Sequence, residues 1–266
     1  MGALARRAVA LPGKTYRAVR MLGLYRSWPR AYRNRLARGP RGGEAVYELR
    51  SGITIAMDAG AADIRVLNEV WLDRVYEPSP RFRPRPGWTI ADLGAHKGSF
   101  ALLAAAAGAR VLAVEPAPAN LPQLRRNVEA NGLAVEILPY AVGAERGSGV
   151  LAFAAGAAHR ATLVLERGYE RREAVETITL ADVVERAGGA LDLVKMDIEG
   201  AEVDVLEPAS PETLARVRRL VVECHRRGER GTDDVGADLA RLLEGHGFAC
   251  SYDRRRQLLA AERAGS

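Results

Sequence analysis

Apolar residues recur at three- to four-residue intervals across residues 14–38, at Tyr16, Val19, Leu22, Tyr25, Trp28, Tyr32 and Leu36, and this spacing predicts helix. Pro29 breaks the series, so two short basic helices are expected, with the aromatic positions serving as packing residues. Arg38-Gly39-Pro40-Arg41-Gly42-Gly43 reads as a linker. Residues 45–49 and 53–57 flank Ser51-Gly52, a hairpin signal, and residues 63–71 return to helical spacing through Ile64, Leu67 and Trp71. A proline-rich run over residues 77–87 marks a boundary. Beyond it, short β-rich runs at 89–93, 110–114 and 135–138 alternate with helical runs starting at Ser99 and Asn120, which predicts βαβ units and a parallel sheet. In the second of these helices Asn120 is the candidate N-cap, Pro122 lies in the first turn and Asn131-Gly132 is the stop. Residues 150–153 and 161–165 read as an inserted hairpin, and then come helix 180–187, strand 191–196, a proline-broken helix 201–215, strand 217–223, helix 237–245 and two strands, 248–252 and 257–261.

Composition narrows the class. With 266 residues, 48% of them hydrophobic and 27% charged, the chain can bury one sizeable core, which excludes fibrous and wholly disordered readings. The formal charge of +6 is unevenly spread: residues 1–50 hold 12 basic and 2 acidic side chains, the remainder 27 and 31. Any polyanion or anionic-membrane contact therefore belongs to the N-terminal segment, and residues 14–38 are where a weak membrane-surface contact is expected. Nucleic-acid binding is disfavoured, because the aromatics there follow a packing period. Cys224 and Cys250 offer neither a disulfide framework nor a thiolate zinc site, which favours a reducing cytoplasm. The longest apolar stretch, residues 100–107, is too short to span a bilayer.

Two stretches carry chemistry. Asp92-Leu93-Gly94-Ala95-His96-Lys97-Gly98 joins a β-run to an Ala-rich helix, and its glycines allow a tight turn and close approach of a ligand at a helix N-terminus. Glu115 ends the next β-run, 23 positions after Asp92, where a carboxylate can accept both ribose hydroxyls. Charge selects the nucleotide: Asp92 would repel a pyrophosphate, whereas S-adenosylmethionine offers an ammonium and a sulfonium. The Gly-x-Gly-x-x-Gly spacing of dinucleotide folds is also missing. In Asp192-Leu193-Val194-Lys195-Met196-Asp197-Ile198-Glu199-Gly200-Ala201-Glu202 a buried strand delivers Asp197 and Glu199 to the same rim. A salt-bridged strand end, with Glu199 and Glu202 capping the next helix, is the plainer alternative for this stretch. Val222-Glu223-Cys224-His225 adds Glu223 and His225, and a histidine there can take a proton from an attacking hydroxyl. His96 and His159 are loop candidates for substrate contact. Asp197, Glu199, Glu223 and His225 could together hold a hard metal, but no metal-specific spacing compels it, and none is assigned.

These blocks resemble the FkbM family of S-adenosylmethionine-dependent methyltransferases, from about Val46 to the C-terminus. Asp92 to Gly98 is similar to the family's cofactor loop, Glu115-Pro116-Ala117-Pro118-Ala119-Asn120 to its ribose-binding block, and Pro139-Tyr140-Ala141-Val142-Gly143 to the segment beside adenine. Lys195 to Glu202 is the most distinctive match, and Asp63, Glu69 and Tyr76 resemble an upstream block. His96 stands where Asn is common, and the basic arm has no counterpart. The resemblance implies a Rossmann-like α/β fold, a seven-stranded methyltransferase sheet that is mostly parallel with an antiparallel C-terminal hairpin. It also implies O-methylation of a hydroxyl on a natural product or glycan. The expected organisation is a basic helical arm (1–44), an accessory hairpin and helix (45–86) and the methyltransferase domain (87–266). Cofactor contacts are expected from Asp92, Gly94, Ala95, Gly98, Glu115, Pro116, Ala141 and Asp197, substrate contacts from Tyr76, His96, His159 and Glu199, and catalysis from Asp197 and His225. The competing readings are an NAD-dependent oxidoreductase on a similar sheet and a non-catalytic cofactor- or RNA-binding module.

Overall fold

The computed structural model describes residues 13–36, 40–154, 161–162, 169–225 and 234–264; His159 lies outside them. The chain divides into two units after Asp73. In the first, α1 (Gly13–Leu24) and α2 (Trp28–Arg35) precede an antiparallel pair, β1 (Pro40–Glu48) and β2 (Thr54–Gly60), then α3 (Ala61–Leu67), extended by a π-turn over Asn68–Leu72. Pro29 lies in the first turn of α2, where its missing N–H costs nothing. The expected linker is partly strand: β1 begins at Pro40 and its register is irregular between Pro40 and Glu44. The unit is held by Met21, Tyr25, Tyr47, Ile55, Met57, Ile64 and Leu67, all essentially buried. Two buried polar bonds accompany them, Tyr25 Oη to Asn68 Oδ1 (3.0 Å) and Asn34 Nδ2 to Tyr47 Oη (2.7 Å).

One expectation fails here. The apolar series packs only in part: Tyr25 is buried, but Val19, Leu22, Trp28, Tyr32 and Leu36 are exposed, and the helices bury Met21, Ala31 and Asn34 instead. Arg17 and Arg20 reach Asp73, so the inner side of α1 is held by charge as much as by apolar contact.

The second unit is built on β3 (Thr89–Leu93), α4 (Ser99–Ala106), β4 (Arg110–Val114), α5 (Leu121–Asn131), β5 (Val135–Leu138), β6 (Ala141–Val142), β7 (Gly147–Ala154), β8 (Ala161–Thr162), β9 (Tyr169–Ile178), α6 (Leu180–Arg186), β10 (Leu193–Met196), α7 (Glu202–Leu206), α8 (Pro211–Ala215), β11 (Arg219–Glu223), α9 (Val235–Gly245), β12 (Phe248–Asp253) and β13 (Leu258–Arg263). The main sheet runs β12-β13-β11-β10-β3-β4-β5, parallel from β11 to β5, with β13 antiparallel to both its neighbours. Its parallel strands read as continuous apolar runs because helices cover both faces: four of five residues in β3 and in β4 are buried, and all four in β10. Helix α4 is buried from Ser99 to Ala105, which is why its sequence is apolar all round.

The inserted hairpin differs from expectation. β7 pairs mainly with β9, from Gly147↔Thr177 to Ala154↔Tyr169, and only through two residue pairs with β8. The sequence does not announce β9, because Tyr169-Glu170-Arg171-Arg172-Glu173 is charged and shows no apolar alternation. Helix α6 starts with a reciprocal capping box between Thr179 and Asp182. Among the described residues, no helix is long and apolar enough to cross a membrane.

Candidate functional site

Strand order reverses between β3 and β10, since β3 continues outward to β4 while β10 lies on its other side. Open α/β sheets bind ligands outside the carboxyl ends of strands at such a point. The turns after these two strands meet there: Asp197 N donates to Leu93 O (3.1 Å), and Gly94, at φ +77°, lies so close that a Cβ would fall 1.8 Å from the Asp197 carbonyl oxygen. Gly98, at φ +89°, opens α4, and a Cβ there would sit 2.6 Å from Leu124 Cδ1 on α5. Between them His96 adopts φ +52°, as does Glu199 in the facing turn, a left-handed conformation that asparagine tolerates better than histidine.

Glu115, just beyond β4 and 5% exposed, fastens this turn. Its Oε2 accepts the His96 N–H (2.7 Å), and its Oε1 accepts the Ala117 N–H (2.9 Å) and Asn120 Nδ2 (3.0 Å). Burial raises the carboxyl pKa, and these three donors work against that rise. Asn120 occupies the N-cap position of α5 but its side chain makes no cap bond, being committed to Glu115. Asn127 Nδ2 donates to Lys97 O (2.8 Å), tying α5 to the same turn. Ala95 and Ala141 are buried and Pro116 is half-buried, with Ala117, Ala141, Leu151 and Val175 forming a small separate core.

Asp92 stands differently from its expected role as a group open to a cofactor. It is fully buried, and Lys195, its register partner on β10, lies 3.0 Å away. Burial raises the Asp92 pKa against the pull of Lys195. Lys195 Nζ also donates to Gly94 O (2.8 Å) and stands 3.8 Å from Asp197 Oδ2. Burial disfavours its charge, but Asp92 and Asp197 outweigh that and hold it protonated. Asp92 thus braces the cradle from beneath through Lys195.

The rim side carries the titratable cluster. Tyr76 is buried, its ring edge-on to Phe100 (5.7 Å between centroids), and its Oη lies 3.0 Å from Asp197 Oδ2 and 2.9 Å from Glu223 Oε2. Burial, then the charges of Asp197 and Glu223, push the Tyr76 pKa well up, so the phenol stays protonated. Burial and then the Asp197 charge raise Glu223. A phenol has one proton to donate and here meets two carboxyl oxygens; satisfying both contacts takes a second proton, and Glu223 is the group whose environment favours holding it. His225 follows β11, with Nδ1 2.8 Å from Glu202 Oε1 and Nε2 3.5 Å from Glu199 Oε2 and 3.8 Å from Asp197 Oδ1. Burial works to lower its pKa, but the Glu202 hydrogen bond and charge, then Asp197 and Glu199, push it up to about 9. The ordinary imidazole value assumed from sequence is therefore displaced, and His225 is an imidazolium at neutral pH.

Ligand atoms of Asp197, Glu223 and His225 lie within 4.8 Å of one another, a spacing that could serve a divalent cation, although the neighbouring Lys195 and the protonated His225 already supply positive charge there. The structure brings together Tyr76, Asp197, Glu199 and His225 at the rim, and Gly94, Ala95, His96, Gly98, Glu115 and Pro116 around the turn after β3. Asp63 and Glu69 belong to the first unit, where Asp63 accepts the Asp58 N–H (2.8 Å). The positioning contact of Glu202, fully buried and also accepting the Gly200 N–H (3.1 Å), was read from sequence only as a helix cap. Its histidine partner lies on another element, and no local pattern announces it.

Comparison with known proteins adds to this geometry. The chain is 31% identical over 233 residues to the 31-O-demethyl-FK506 methyltransferase FkbM of Streptomyces tacrolimicus, covering 75% of this chain and 87% of that protein. It is 29% identical over 210 residues to Methyltransferase 1 of Beauveria bassiana, covering 70% and 81%. The magnesium protoporphyrin IX methyltransferase of Synechocystis PCC 6803 solved with bound SAM aligns at a TM-score of 0.43 and 18% identity, covering 96% of this chain and 99% of that one. Residues 92–250, which include the cradle, Glu115 and the rim residues Asp197, Glu199, Glu202, Glu223 and His225 but not Tyr76, match the Methyltransferase FkbM domain, and the chain belongs to that family of methyltransferases.

Proposed function

We propose that this protein transfers a methyl group from S-adenosylmethionine to a hydroxyl oxygen of a small natural product or glycan, with residues 87–266 and Tyr76 carrying the chemistry. Membership of a methyltransferase family sets the NAD-dependent oxidoreductase reading aside. The donor set supports the cofactor: the turn after β3 ends at a helix N-terminus, a buried carboxylate, Glu115, stands against that turn, and the rim is acidic, which suits a cation better than a diphosphate. When bound, the cofactor supplies an electrophilic methyl group. Gly94, Ala95, Gly98, Glu115, Pro116 and Ala141 form the binding surface, and Asp92 supports it through Lys195.

The observation that carries the mechanism is the Glu202–His225 hydrogen bond. A buried carboxylate on Nδ1 fixes the ring and leaves Nε2 facing the rim. A neutral alcohol is a poor nucleophile, so the deprotonated form of His225, the minor form at neutral pH, lowers the barrier by taking the alcohol's proton at Nε2. Asp197 and Glu199 orient the hydroxyl and stabilise the imidazolium that results, while Tyr76 and Glu223 keep Asp197 in place. Positioning supplies much of the remaining rate. A calorimetric titration with adenosylhomocysteine, followed by a screen of hydroxylated sugars and polyketides for the mass of one added methyl group, tests this. Failure of adenosylhomocysteine to bind would overturn it.

A further inference from the structure

Helices α1 and α2 bury Met21 and Ala31 but leave five large apolar side chains of the segment outside. Trp28, Tyr32 and Leu36 follow one another at four-residue steps, so they form one stripe along α2, and they are 40%, 37% and 63% exposed. On α1 Val19 and Leu22, three positions apart, are likewise exposed. Of the large hydrophobic side chains exposed among the described residues, all but Val150 lie in this segment. Residues 14–38 hold eight basic side chains and no acidic one, the first carboxylate of the chain being Glu44. Arg17 and Arg20 are drawn to Asp73 and Arg30 donates to Val46 O, but Arg26 and Arg33 have no carboxylate partner among the described residues. Both are exposed, Arg33 on α2 and Arg26 two residues before it.

We infer that α1 and α2 form a docking face for an anionic lipid bilayer surface, with Trp28, Tyr32 and Leu36 entering the headgroup boundary and Arg26 and Arg33 meeting lipid phosphates. A stripe that joins an indole and a phenol to aliphatic side chains, in a segment rich in arginine, has the composition of interfacial helices. Nucleic acid would pair with the arginines and could stack on the two rings, but it has no use for exposed Val19, Leu22 and Leu36. Neither helix can span a bilayer at 12 and 8 residues, so the attachment is peripheral and reversible. This inference is independent of the reaction catalysed.

Sedimentation of the full chain with phosphatidylcholine vesicles, with and without about one third phosphatidylglycerol, tests it. The expected result is binding to the anionic vesicles alone, weakened by salt. It falls by about tenfold or more in Arg26→Glu/Arg33→Glu and in Trp28→Ser/Tyr32→Ser/Leu36→Ser, while circular dichroism and adenosylhomocysteine affinity stay unchanged. Brominated lipids should quench the tryptophan emission of the wild type and not of Trp28→Phe. Absence of binding to anionic vesicles at low salt would overturn the inference, as would undiminished binding by both multiple variants. Salt-sensitive binding of single-stranded RNA without vesicle binding would also overturn it, and so would a concentration-dependent dimer abolished by the serine variant.

Discussion

Glu115 and Glu223 are both carboxylates at strand ends of one sheet, and burial raises the pKa of both, yet their neighbours differ in kind. Around Glu115 every neighbour is a donor: two backbone N–H groups and one side-chain amide occupy its oxygens. Around Glu223 stand another carboxylate and a phenol between them, with His225 and Lys195 as the countercharges. The first arrangement spends a negative charge on fixing the shape of a turn. The second concentrates like charges, which raises the affinity of Tyr76 and Glu223 for their protons. In the proposed mechanism, the cofactor turn and the support of Asp197 are thus built from the same residue type in opposite surroundings.

The largest effect should come from breaking the shape side. Gly94→Ala places a Cβ against the Asp197 carbonyl in a conformation that alanine resists. Chemical denaturation should show a loss of about 3 kcal/mol or more, and adenosylhomocysteine binding should disappear with it. On the proton side, His225→Ala should lower turnover by between about a hundred- and ten thousand-fold with cofactor affinity kept. Because the His225 pKa lies near 9, the base form predominates only above that value, so kcat/KM should climb with pH toward an inflection near 9. Glu202→Gln removes the main charge that raises it and should move the inflection to lower pH. An unmoved profile would remove Glu202 from its positioning role.

Glu115→Ala should weaken adenosylhomocysteine by about a hundredfold in calorimetry while turnover at saturation changes less, the reverse of the His225 pattern. If both variants lose affinity and turnover together, the two ends of the rim are not separable. The smallest effect is expected for Tyr76→Phe, which keeps the ring against Phe100 and removes only the hydroxyl between the two carboxyls. Stability should fall by about 1 kcal/mol, and the pH profile should distort as Asp197 and Glu223 face each other directly.

Much of this was readable from the chain because it is written locally. The alternation of apolar strands and capped helices placed β3 to β5 and β10 to β13, and Asn131-Gly132 stops α5 where the left-handed Gly132 lies. The cradle and Glu115 were legible for the same reason, since a strand end and a glycine turn are short-range signals. Local rules were overruled by distant partners elsewhere. Asn120 makes no cap bond, its backbone being helical and its Nδ2 turned to Glu115, Asp92 is paired with Lys195 across the sheet, and His225 is shifted by a residue 23 positions earlier, at the start of α7. Helical periodicity in residues 14–38 correctly signals helices, but it says nothing of which face turns inward.

The contact between Gly94 and the Asp197 carbonyl leaves room for a hydrogen atom and nothing larger. Two turns separated by a hundred residues of chain therefore constitute a single heritable unit: a chimera that imports one of them from a relative inherits a mismatch unless the other travels with it. Recombination intended to change what the enzyme accepts should cut elsewhere, outside this interlocked pair.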